Sequence, residues 1–112
     1  LGIDGIIVSN HGGRQLDAGE STIPSLNRIV QNYHNKIKIM MDSGLRSGQD
    51  IARALASGAE FTFLGRTFMY GVAALGDEGA DHTIVILKRQ LQQVLDQLCC
   101  QRVEDLPSCL IK

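Results

Sequence analysis

Three short apolar runs, each followed by a polar loop and the first two then by a helical pattern, restrict this chain to very few folds. The runs are IDGIIV from Ile3 to Val8, KIKIMM from Lys36 to Met41 and FTFL from Phe61 to Leu64. The first is β-branched and too continuous for a half-exposed strand, and the other two are read in the same way. Three strands covered on both faces are therefore expected, as in a parallel sheet.

Helical periodicity fills the gaps. Ser21 or Thr22 can cap a helix with Pro24 in its first turn, and Leu26, Ile29, Val30 and Tyr33 fall on one face. Ser47 and Asp50 form an S-x-x-D capping pattern, Ile51, Ala52, Leu55 and Ala56 make a stripe, and Gly58 ends that helix. A short helical piece around Thr67 to Ala74 precedes GDEGADH. A long helix from about Asp81 to Cys99 is then expected to bury Ile84, Leu87, Leu91, Val94, Leu95 and Leu98. The order β, α, β, α, β implies right-handed crossovers in an α/β fold.

Composition removes several classes of function. The 112 residues suffice for one domain, and 11 Lys plus Arg against 12 Asp plus Glu leave no polyanion footprint, so nucleic acid is not expected as a partner. No apolar stretch approaches the roughly 20 residues that span a bilayer, and the start carries neither a charged n-region nor a cleavage site. Cys99, Cys100 and Cys109 match no zinc or C-x-x-C spacing and are expected to be free thiols in a reducing cytoplasm. The start at Leu1 rather than Met reads as a fragment, a processed product or an imposed boundary.

The chemistry-bearing residues are not scattered. SNHGGR follows the first strand, DSGLRSG the second and GR the third, so all lie beyond the carboxyl ends of parallel strands, where α/β folds bind ligands. Gly12 and Gly13 remove two side chains between His11 and Arg14, letting a flat ligand approach the backbone. An imidazole suits proton abstraction near neutral pH, and a guanidinium forks onto a carboxylate. Together they describe a site for a small acid that loses a proton; a glycine turn with a solvated Arg and a packing His is the plainer alternative. DSGLRSG and the following GR each offer glycine and arginine ahead of a helix, a device for anions. A simple turn with a capping glycine explains either loop singly, but less readily the pair. His34 and His82 read as surface or capping residues, Met40 and Met41 as core.

The strings SNHGGRQLD, DSGLRSGQDI and FLGRTFMYG together resemble the C-terminal signature of the FMN-dependent α-hydroxy-acid-oxidising enzymes, a family that includes L-lactate dehydrogenases and glycolate oxidases. The resemblance covers essentially the whole chain. It implies a (β/α)8 barrel of which this chain, residues 1–112, is a single-domain fragment: the last three βα units plus a long C-terminal helix. It implies FMN as cofactor, His11 as general base and Arg14 as the partner of the substrate carboxylate. Ser9 would lie against the flavin and Asp42 would hold ribityl hydroxyls. Ser43, Gly44, Arg46, Gly65 and Arg66 would complete the cofactor site, most of them around the phosphate.

The implied reaction is oxidation of a small L-2-hydroxy acid, L-lactate by preference, to the 2-oxo acid. D-S-G-[IL]-R-S-G-x-D looks more like the dehydrogenases, whereas oxidases more often carry D-G-G-V-R-x-G-T-D. The family's Lys near flavin N1 and O2 and its substrate-facing Tyr residues belong to an N-terminal half that does not precede Leu1. A typical barrel needs roughly 250 residues, and three parallel strands alone leave two open edges. The chain is therefore expected to work with a missing N-terminal portion, as a homo-oligomer, in the cytoplasm or peripherally at the inner face of the cell membrane. Two alternatives stay open: a stand-alone partial barrel that self-associates and binds phosphate, FMN or nothing, and an oxidase that passes electrons to oxygen.

Overall fold

The computed structural model describes residues 2–111. Strands β1 (Gly5–Val8), β2 (Lys38–Met41) and β3 (Phe61–Thr62) alternate with helices α1 (Thr22–Tyr33) and α2 (Gly48–Ala56), followed by α3 (Arg66–Leu75) and α4 (Gly79–Gln97). Short 3-10 turns occupy Gly76–Glu78 and Val103–Cys109. The strands form one parallel sheet in the order β1-β2-β3. Ile7, Met40 and Phe61 stand in one row, and Val8, Met41 and Thr62 in the next.

Because successive strand residues point to opposite faces, these rows divide the sheet. One face carries Val8, Ile39 and Met41, which are buried with Leu26 of α1 and Ala54 of α2. The other carries Ile7 at 50% exposure, Phe61 at 58% and Phe63 at 41%, the two Phe rings meeting edge to face. The expectation of strands covered on both faces is corrected here: α1 and α2 lie on one side only, and nothing in the described chain covers the other.

Local signals place the helices well. Ser47 accepts the Asp50 N–H while Asp50 accepts the Ser47 N–H, a reciprocal capping box. At the other end of α2, the Gly58 N–H donates to Leu55 and the Ala59 N–H to Ala54, a Schellman turn that needs the left-handed φ of 99° found at Gly58. Helix α2 is a middle layer. Ala54 faces the sheet while Ala52, with Leu55 and Ala56, packs against Leu95 and Leu106 of the C-terminal segment, so the expected stripe holds at these three positions but omits Ala54, the most buried residue of the helix.

Helix α4 starts at Gly79, two residues before expected, and buries Gly79, Thr83, Leu87 and Leu95, one residue per turn or every second turn along a single ridge. Ile84 and Leu98 are exposed rather than buried, because the contact with α3 and α2 follows the i+4 row and both residues stand off it. Tyr33 is also exposed, its ring lying under the Lys36 ammonium at the end of α1. Two close approaches fix the outer layer: a Cβ on Gly48 would lie 2.3 Å from the Leu91 nitrogen, and one on Gly79 2.2 Å from the Gly71 oxygen. Among the described residues, no helix is long and apolar enough to cross a membrane.

Candidate functional site

The three loops that leave the carboxyl ends of the strands converge. Beyond β1, His11, Gly12 and Gly13 take φ values of 52°, 64° and 72°, a left-handed turn closed by bonds from Gly13 N–H to Asn10 and from Arg14 N–H to His11. For the non-glycine His11 this conformation costs on the order of 1–2 kcal/mol. It is held from two sides: the His11 N–H donates to Ser9 Oγ at 3.0 Å, and the Gly12 N–H to Ser43 Oγ at 3.1 Å. Glycine suits position 12 because of its positive φ, and a Cβ there would displace the Arg66 guanidinium, which lies 2.7 Å from where it would stand.

Beyond β2, Ser43 and Gly44 are left-handed as well, at φ 78° and 81°. Ser43 Oγ donates to Asp42 Oδ1 at 2.6 Å, leaving its lone pairs for the Gly12 N–H, and Ser9 Oγ lies 3.4 Å away. Ser43 therefore ties the histidine turn to the aspartate. Beyond β3, Arg66 Nη2 donates to the Gly12 carbonyl at 3.2 Å, and Thr67 Oγ1 donates to the Leu45 carbonyl at 3.0 Å. All three loops are thus joined by direct hydrogen bonds.

The result is an open cleft of about 630 Å³. His11, Arg14, Asp42, Ser43, Gly44, Arg46, Gly65 and Arg66 line it. Of the residues singled out in the sequence, only Ser9 stands behind the wall, supporting the histidine turn. The imidazole of His11 and the guanidinium groups of Arg14, Arg46 and Arg66 are exposed. Among the described residues, none of these three arginines pairs with a carboxylate, whereas Arg28, Arg53 and Arg102, outside the cleft, each do. Cations left unpaired around one hollow are suited to an anion.

The two helix ends near the cleft differ. The start of α2 is filled by the chain's own groups: the Asp50 carboxylate takes the Arg46 and Ser47 N–H groups, and Gln90 Oε1 takes the Gly48 N–H. Burial pushes the Asp50 carboxyl up, and the hydrogen bonds from Arg46 and Ser47, with Arg53 alongside, outweigh it and hold the carboxyl below its ordinary value. The start of α3, by contrast, follows Gly65, which has no side chain to cap it, so its first N–H groups remain available beside Arg66.

Sequence reasoning missed the apolar part of the wall, Leu45, Phe63, Leu64 and Met69, and the bracing residues Thr67 and Gln90. The alternation of Phe61 and Phe63 was the available signal for the first. The bracing contacts join residues 22 and 42 positions apart and leave no local trace.

Comparison with known proteins agrees with the geometry. Residues 1–112 match the family described as FMN-dependent dehydrogenase. A peroxisomal (S)-2-hydroxyacid oxidase from Arabidopsis thaliana is 42% identical over 94% of this chain and 29% of its own length. An L-lactate dehydrogenase from Actinobacillus pleuropneumoniae is 43% identical over 95% of this chain and 28% of its own. The crystal structure of a soluble mutant of the membrane-associated (S)-mandelate dehydrogenase from Pseudomonas putida superposes with a TM-score of 0.87 at 43% identity, covering 94% of this chain and 30% of that one. The chain thus spans less than a third of the length of these relatives.

Proposed function

The chain belongs to the family of FMN-dependent dehydrogenases, and from that premise we propose that it forms the last three βα units of a (β/α)8 barrel that oxidises a small L-2-hydroxy acid, L-lactate by preference, to the 2-oxo acid. The single observation that carries this reading is the convergence of His11, Arg14, Asp42, Arg46 and Arg66 on one cleft at the carboxyl ends of parallel strands. The open apolar face of Ile7, Met40 and Phe61 is then the inward face of the barrel, where side chains from the remaining strands fill the space.

The residues present fit FMN. A phosphate has two guanidinium groups, Arg46 and Arg66, and the uncapped start of α3; Gly44 and Gly65, with nothing within 4 Å of where a Cβ would stand, leave room for it to approach the backbone. Asp42 presents acceptors for ribityl hydroxyls. When bound, FMN supplies the two-electron acceptor for the reaction. The chain's own residues do the rest. Arg14 forks onto the substrate carboxylate and fixes its orientation. His11, exposed at the cleft and held in its turn by Ser9 and Ser43, accepts a proton from the 2-hydroxy acid. The 2-oxo acid differs from the substrate by two protons and two electrons: His11 takes one proton, and the other would pass with the electron pair to the acceptor that FMN supplies when bound. Ser9 braces this turn from behind the cleft wall.

The test is anaerobic reduction of the flavin by L-lactate in the full-length or complemented enzyme. His11→Ala is expected to slow that reduction by at least 10²-fold while FMN stays bound; near-normal reduction would remove His11 from the role of base. The string D-S-G-L-R-S-G favours a dehydrogenase, and the similarity to a hydroxyacid oxidase favours oxygen as acceptor. Turnover with an artificial dye compared with turnover with oxygen separates the two, the dye being preferred on this reading.

A further inference from the structure

The C-terminal segment holds a pair of thiols that the proposed oxidation does not use. Helix α4 ends in a Schellman turn, with the Cys99 N–H donating to Asp96 and the Cys100 N–H to Leu95. Cys99 occupies the left-handed position at φ 56° and is exposed. The turn sends the next residue, Cys100, the other way, and its sulfur lies 3.4 Å from that of Cys109, the last residue of the following 3-10 turn. The intervening loop is already shaped. Asp105 accepts the N–H groups of Gln101 and Arg102, and Leu106, only 1% exposed, anchors the segment against Ala52 and Leu95.

We propose that Cys100 and Cys109 are a dithiol modification site, closed to a reversible disulfide by a hydroperoxide, with Cys99 taking no part. A disulfide brings its sulfurs to about 2.05 Å, so the pair needs only a further approach of about 1.4 Å, within reach of side-chain rotation. Cys109 lines an open, largely apolar cleft of about 280 Å³ between α2, α4 and the tail, which gives a small oxidant access to its sulfur. The hydrogen bond to Cys109 and burial push the Cys100 thiol up, with negative charge on Cys109, Asp105 and Cys99 adding to the effect. Cys109, which lines the cleft, is the sulfur that an entering oxidant meets first.

The steps balance. The Cys109 thiolate attacks the hydroperoxide, forming an S–O bond and breaking O–O, and the alcohol or water leaves with a proton. The Cys100 sulfur then attacks the sulfenic sulfur of Cys109, forming S–S and breaking S–O, and the oxygen departs as water. Two thiols are oxidised by two electrons and one hydroperoxide is reduced. The product clips the tail to the end of α4, covalently closing the segment that covers one side of α2.

Treatment of the purified chain with hydrogen peroxide at high dilution, followed by alkylation and tryptic mapping, tests this. Cleavage after Arg102 separates the two cysteines, so the disulfide joins the peptide ending at Arg102 to the one starting at Val103. The expected result is that cross-linked pair, a loss of about 2 Da from the intact mass, and full reversal by dithiothreitol. Cys99→Ser should form the link undiminished, and Cys100→Ser and Cys109→Ser should both lose it while keeping the circular dichroism of the parent. Should Cys100→Ser unfold, alkylation of the unmodified chain still decides, since Cys99 must then be the thiol left free. Persistence of the link in Cys100→Ser, its loss in Cys99→Ser, links only between chains, or oxidation to sulfinic acids without a link would each overturn the proposal.

Discussion

The two faces of the sheet are built from the same kinds of residue and meet opposite fates. Ile6, Val8, Ile39 and Met41 point toward α1 and α2 and form the core with Leu26 and Ala54. Ile7, Met40, Phe61 and Phe63 point the other way, and three of the four are exposed large apolar side chains. A strand's composition records how apolar its surroundings are meant to be, not which element supplies them. On the covered face the chain supplies its own cover; on the other, under the barrel reading, further strands of the same barrel do. The ends of the sheet differ in the same way. At the amino end, Lys38 and Glu60 neutralise each other at 2.6 Å. At the carboxyl end, Arg14, Arg46 and Arg66 stand around a cleft without a carboxylate partner among the described residues.

The sharpest way to break the comparison of faces is to delete the same side chain from each. Ile39→Ala, in the covered face at 2% exposure, is expected to cost about 2–5 kcal/mol. Ile7→Ala, in the neighbouring strand but on the open face, is expected to cost about 1 kcal/mol or less. Urea denaturation of the two variants measures both, and equal losses would show that the open face is covered in solution, for instance by a second copy.

A smaller effect is expected at the filled helix end. Asp50→Ala removes the capping box of α2 and is expected to cost roughly 1 kcal/mol. Since the folded carboxyl titrates below its ordinary value of 3.8, its contribution is complete above that pH and is lost as the pH falls through the lower folded value. The difference between parent and variant in thermal melts should therefore shrink only below about pH 4. The least effect is expected at the exposed pair of Arg28 and Glu20, where the carboxyl is held low by the Arg28 and Ser25 hydrogen bonds. Glu20→Gln should leave the denaturation midpoint unresolved from the parent, as fully solvated pairs do.

What was legible in the sequence follows from how local each signal is. The order of strands and helices, the Ser47 and Asp50 box and the Gly58 stop rest on residues within one or two turns of each other, and the structure places all of them as expected. Burial was legible only in part, because it depends on a neighbour that the local pattern does not name. Ile84, Leu98 and Tyr33 have the right period and the wrong side, and Ala54 was overlooked because a middle-layer helix is packed on two sides. In the site, the positions of His11, Arg14, Asp42, Arg46 and Arg66 followed from their place after the strands. The contacts that set their geometry, Gly12 with Ser43 and with Arg66, lie 31 and 54 residues apart in sequence and became visible only in the fold.

The central claim is that the cleft at the carboxyl ends of the strands receives the phosphate of FMN between Arg46, Arg66 and the start of α3. The most direct measurement is titration of the 112-residue chain with FMN, followed by quenching of flavin fluorescence, for the parent and for Arg66→Ala. The account predicts saturable binding that weakens by roughly 10-fold or more in the variant, as expected for loss of a charge-assisted bond to phosphate. Saturable binding of equal strength in both proteins would contradict it and place the flavin elsewhere on the chain.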